Sequence, residues 1–223
     1  MGLISVLQTD PIIFALIAIA LIFALCIHEF SHGYIAYING DDTAYKMGRL
    51  TLNPLAHLDP IGSLMILFIG FGYARPVPVD PSNLNNPRID MIKVAAAGPI
   101  SNFILSFIGV LIFTLFIKLN LIQENYRIFL SYFIMINTYL GLFNLIPIYP
   151  LDGGQIFGNL ILKYDRNIFI KLNEYGPKIL MGAILLSIIT QGKISPLRWF
   201  IEKPAIFIVE QFESIATNIL FFL

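Results

Sequence analysis

The sequence predicts an all-α polytopic membrane protein: a three-helix core, further C-terminal helices, and a small β-element dipping into the membrane. Three observations carry this. Of 223 residues, 57% are apolar and only 13% charged, against roughly a quarter charged in soluble domains. That leaves too little polar surface to meet water. Nearly uncharged stretches of spanning length recur along the chain, and basic residues fall unequally on the segments that join them.

The first stretch, residues 11–26, carries no charge and stays helix-compatible to Ile38. About 20 residues at ~1.5 Å each match a hydrocarbon core of ~30 Å. No Lys or Arg precedes Lys46, and the run passes straight into His28-Glu29 without a small-residue cleavage site. It therefore reads as a span and not as a signal peptide. Residues 61–73 are apolar but short, with Gly62, Gly70 and Gly72 inside and Pro60, Pro76 and Pro78 around them. Such a segment suits a re-entrant element. The flanking stretches 49–52 and 73–79 read as short strands within a β-element over about 48–80. Spans at about 89–118 and 127–148 complete a core within 1–155. In 156–223, residues 177–190 reach spanning length only by drawing on 168–175. The tail 196–223, interrupted by Glu210 and Glu213, either crosses or lies along the interface.

Orientation follows from charge. If 61–73 does not cross, Lys46, Arg49, Arg75, Arg88, Lys93, Lys163, Arg166, Lys171 and Lys178 share one side, and Lys118 and Arg127 face the other. Crossing would split them less decisively. The positive-inside bias thus places the N-terminus outside and 39–88 on the cytoplasmic side. Fourteen basic and fourteen acidic residues balance to zero, so no electrostatic footprint for nucleic acid exists. A single cysteine, Cys26, excludes an internal disulfide framework and a multi-cysteine zinc site.

Ionisable groups inside a bilayer are costly and point to function. The end of the first span reads His28-Glu29-Phe30-Ser31-His32. On a helix, residues four apart share a face, so both imidazoles can bind one metal, with Glu29 beside them as a base. Two imidazoles suit zinc but leave it one protein ligand short. Asp152, before Gly153-Gly154 and after Pro147 and Pro150, is the candidate, because the derived orientation sets it at the same depth as His28 and His32. As a helix N-cap it would have a purely structural role. The His57-Leu58-Asp59 group is a rival ligand source, although its proline-bounded polar loop favours a structural role.

His-Glu-Phe-Ser-His in the first span, Gly98-Pro99-Ile100-Ser101-Asn102 in the second, and Asn144, Pro147, Pro150-Leu151-Asp152-Gly153 after the third resemble the site-2 protease family of intramembrane zinc metalloproteases, peptidase family M50. The loop from Gly48 to His57 and the stretch Ala74-Arg75-Pro76-Val77-Pro78-Val79 resemble its compact microbial members, without an inserted PDZ or CBS-type domain. The resemblance implies one Zn2+ per chain on His28, His32 and Asp152, Glu29 as catalytic base, and Asn102 and Asn144 holding the substrate backbone or oxyanion. Residues 48–79 would present substrate as an extended strand, and the C-terminal helices could gate its access. The implied activity is hydrolysis of peptide bonds in or near transmembrane segments of single-span or polytopic membrane-protein substrates. The implied setting is a prokaryotic cell (inner) membrane, with the active site toward the cytoplasm. For Gly98, Pro99 and Asn102 the alternative is a small-residue helix contact with a polar cross-link. For the whole chain the alternatives are an ion or metal transporter using the His/Glu/Asp cluster, or a non-catalytic metal-binding scaffold. Ionisable groups gathered at one depth, with no visible internal repeat, argue against transport.

Overall fold

The computed structural model describes residues 2–221. A short helix, α1 (Leu3–Thr9), leads into the long α2 (Pro11–Ile38). Asp10 starts α2 by accepting from the Ile12 and Ile13 N–H groups, each at 3.0 Å, while Pro11 sits in the first turn, where no donor is needed. One-turn helices α3 (Thr43–Lys46) and α4 (Pro54–His57) follow, then α5 (Pro60–Ile69) and a 3-10 turn at Pro81–Asn83. The rest is helical: α6 (Pro87–Lys118), α7 (Glu124–Asn144), α8 (Asp152–Ile161), α9 (Arg166–Ile189) and α10 (Pro196–Leu220).

Among the described residues, α2 and α6 are long and apolar enough to cross a membrane. Ile100, Ile104, Ile108 and Ile112 stand exposed at four-residue spacing along α6, a stripe suited to lipid. The opposite side of α6 is the hub of the molecule, packing against α2, α7, α8 and α10. Val110 on α6, Ile134 on α7 and Ala216 on α10 form one buried cluster. The buried Ser106 and Thr138 hydroxyls bond across α6 and α7 at 2.7 Å.

Two expectations change. The third helix stops at Asn144, four residues short of 148, and the chain turns through 145–151 before α8. The strands expected at 49–52 and 73–79 do not form: among the described residues the sole β feature is an isolated antiparallel bridge between Leu58 and Ala74. Arg49 and Leu50 spend their N–H groups on the Ala44 carbonyl, at 2.8 and 3.2 Å, closing the end of α3. Pro76 and Pro78 carry no N–H, so 73–79 lacks alternate donors for a ladder. It runs instead as an extended strap. Before it, α5 is ten residues long, about 15 Å or half the hydrocarbon thickness, and ends at Gly70 in the left-handed region at φ 85°. The chain therefore turns back where a span would continue.

Candidate metal centre

His28 and His32 lie one turn apart on the α2 face that meets α6. Helix α6 passes them at Gly98, where an added Cβ would stand 2.4 Å from His32 Nε2 and 2.5 Å from His28 Cε1. Only glycine leaves room for both rings. Each ring is held from its far side. His32 Nδ1 lies 2.7 Å from the Val94 carbonyl and His28 Nδ1 lies 2.6 Å from Asn102 Oδ1. The Asn102 amide is oriented by its own contacts, since Nδ2 donates to the Ala24 carbonyl at 3.4 Å and to Asn137 Oδ1 at 3.0 Å. Asn137 is fixed in turn by donating from Nδ2 to the Phe133 carbonyl at 2.8 Å. Both Nδ1 atoms thus face oxygens that can only accept, so they carry the protons and each Nε2 presents a lone pair.

The third group arrives from the turn after α7. Asp152 is the first residue of α8, whose N-cap position is Leu151. The next residue, Gly153, packs so tightly that a Cβ there would stand 2.3 Å from the Leu145 carbonyl oxygen. That contact folds the 145–151 turn onto α8 and brings the carboxylate to the rings. Asp152 Oδ2 lies 3.2 Å from His28 Nε2, and Oδ1 lies 3.4 Å from His32 Nε2. The two Nε2 atoms are 3.1 Å apart.

Those separations test the fit of a metal. Two imidazole nitrogens and a carboxylate thus converge, and buried Asp152 Oδ2 has no hydrogen-bond partner. A bound metal cation would satisfy all three groups at once. Tetrahedral zinc with bonds of ~2.0–2.1 Å has ligand-to-ligand edges of about 3.3–3.4 Å. The Nε2–Nε2 separation of 3.1 Å and the carboxylate contacts of 3.2 and 3.4 Å, one to each oxygen, lie close to this value, so the donor set suits zinc.

Glu29, buried between the histidines in sequence, accepts a 2.8 Å hydrogen bond at Oε2 from the Val77 N–H of the strap. The rival ligands serve the loop: His57 Nε2 donates to the Thr51 carbonyl at 2.7 Å, and Asp59 caps α5 by accepting from the Gly62 N–H at 2.8 Å. Asn102 is fully buried against His28. Asn144, half-buried at the end of α7, donates to the Leu140 carbonyl at 3.0 Å. Sequence reasoning did not pick out Asn137, the Val94 carbonyl or the Val77 N–H. An Asn in the middle of an apolar span was the available signal for Asn137; the two backbone groups left none.

The paired imidazoles, the carboxylate and the adjacent Glu29, set among long apolar helices, define the zinc-hydrolase class of centre. The family model described as "Peptidase family M50" matches residues 16–126 and 116–188. The chain is 42% identical over 165 residues to "Putative zinc metalloprotease YwhC" of Bacillus subtilis, covering 72% of this chain and 75% of the relative. It is 25% identical over 157 residues to "Zinc metalloprotease MJ0392" of Methanocaldococcus jannaschii, covering 70% of this chain but only 38% of that longer protein. No solved structure matches it. This chain belongs to peptidase family M50, the site-2 protease family of zinc metalloproteases, and is an integral membrane protein.

Proposed function

We propose that the protein is an intramembrane protease that cleaves peptide bonds in or near transmembrane segments of single-span or polytopic membrane proteins, from the cytoplasmic side of a prokaryotic cell membrane. The observation that carries this reading is the convergence of the His28 and His32 Nε2 atoms and the two Asp152 carboxylate oxygens, with separations of 3.1–3.4 Å, beside the long apolar helices α2 and α6. His28, His32 and Asp152 would hold one zinc, which when bound supplies Lewis acidity for peptide hydrolysis. Glu29 takes a proton from the attacking water as the carbon–oxygen bond forms and returns it to the amine as the carbon–nitrogen bond breaks. Asn102, with Asn137 behind it, orients His28. Asn144, close to the 145–151 turn, remains the candidate for holding the substrate backbone.

A transmembrane substrate must unwind before its carbonyls can react. A cavity of about 650 Å³ bordered by α2, α5, α7 and α10, with Leu25, Gly72, Phe143 and Ile201 among its walls, is a suitable receiving space. Its α10 wall would be the gate. The strap beside it can add to an unwound substrate through carbonyl acceptors. The test is incubation of the purified protein with a panel of single-span substrates, with fragments read by mass spectrometry. Native protein should cleave and Glu29→Gln should retain zinc while losing at least ~100-fold in rate. Equal cleavage by both would end the assignment.

A further inference from the structure

Glu29 is a flexible side chain beside two rigidly held rings, and among the described residues the hydrogen-bond donor that reaches it is a backbone group of the strap. We propose that the Pro76–Val77 peptide unit, clamped from behind by Arg49, positions the Glu29 carboxylate, making Arg49 and Val77 positioning residues for the base. The inference rests on the proteolytic reading above and adds to it the means by which the base is aimed.

The geometry is a relay of charge, dipole and charge. Arg49 is buried, and its Nη2 donates to the Arg75 carbonyl at 2.9 Å and to the Pro76 carbonyl at 3.2 Å. The Pro76 carbonyl belongs to the same peptide group whose N–H, on Val77, reaches Glu29 at 2.8 Å. A guanidinium on the oxygen end of a peptide polarises it and strengthens the N–H at the other end. The sequence leaves no competing donor nearby, because Pro76 and Pro78 flank Val77 and neither has an N–H. Register is fixed by packing: the buried Val77 side chain lies over Gly33, where an added Cβ would stand 3.0 Å from Val77 Cγ1. Gly33 is four residues beyond Glu29, so the strap crosses the α2 face that carries the base. The strap is also tied at both ends. The Arg75 N–H donates to the His57 carbonyl at 2.8 Å, and the Asp80 N–H donates to Asp41 Oδ2 at 2.7 Å.

The test uses the full chain in detergent micelles with two independent readouts. In kinetics, Val77→Pro, which removes the N–H, should lower kcat ~10–100-fold with zinc near one per chain and KM within about twofold. Val77→Ala, which keeps the N–H, should retain at least ~10-fold more kcat than Val77→Pro. Arg49→Met should lose kcat in the same way, with Arg49→Lys recovering part of it. In spectroscopy, the sequence holds six valines, so 15N-valine labelling gives six amide signals, of which Val77→Ala identifies one. The Val77 amide should move upfield and exchange with solvent ~10-fold faster in both Glu29→Ala and Arg49→Met, with the other five unmoved. A Val77 amide indifferent to both substitutions overturns the proposal whether or not the protein cleaves anything. Loss of zinc in step with kcat in Val77→Pro overturns it too, because the strap would then be general scaffolding. A native chain that cleaves no substrate while the amide responds as expected supports the relay and sinks the proteolytic reading instead.

Discussion

Within one turn of α2, His28 and His32 face one way and Glu29 another, and the two sides are held by different means. The imidazoles are backed by regular helix: Asn102, Asn137 and the Val94 carbonyl all sit on α6 or α7. Glu29 is met by an extended strap with no regular structure, anchored by a guanidinium and by Asp41. Helix-borne partners can move only if whole helices move, whereas a strap can be adjusted by a few side chains. Metal affinity should therefore depend on the α6 side and catalytic competence on the strap side.

The largest effect is expected where α6 touches the rings. Gly98→Ala puts a methyl group 2.4 to 2.6 Å from ring atoms of both histidines, and should weaken zinc binding by at least ~100-fold, read by chelator competition; zinc content equal to native would disprove the close passage of α6. Next comes Asn102→Leu. It leaves the His28 Nδ1–H without an acceptor and should weaken zinc ~10–100-fold, with Asn137→Leu showing a smaller loss in the same direction. An unchanged affinity in both would remove the amides from the metal side.

The smallest effect is expected at the far end of the strap. Asp41 is fully buried at the end of α2. Burial raises its pKa, but donors from Thr43, Asp80 and Asn83 more than offset this and hold the carboxyl below its usual value. The stability this brings is complete above the ordinary carboxylate pKa and is lost as pH falls through the lower folded-state value. Asp41→Asn should cost about 1–3 kcal/mol of stability at neutral pH, with the Tm difference shrinking in acid and zinc affinity unchanged. A Tm difference independent of pH would show that shape, not charge, sets the anchor.

How much was legible follows from where each group lies on the chain. His28, Glu29 and His32 fall within five residues of one helix, so periodicity alone brings them together. Asp152 is more than a hundred residues away, but the orientation expected from Lys and Arg set it at the depth of the histidines, and the structure brings its carboxylate to the rings. Asn102 is the instructive case. Its motif was visible and suggested a substrate contact; the contact to His28, which arises because α6 crosses α2 at Gly98, was not legible. The β-element illustrates the opposite error, since alternating apolar residues at 73–79 read as a strand while the prolines among them remove the ladder.

By itself the sequence determined what is local or averaged over the chain: the membrane class, from composition; the long helices, from uninterrupted apolar runs; and the paired imidazoles with their neighbouring carboxylate, from helical spacing. Only the tertiary structure decided which nitrogen of each ring faces the metal, which amide serves the rings, and which backbone N–H meets Glu29. Those outcomes depend on where separate helices and the strap approach within hydrogen-bond distance, and a backbone group leaves no trace in the identity of the residue that carries it.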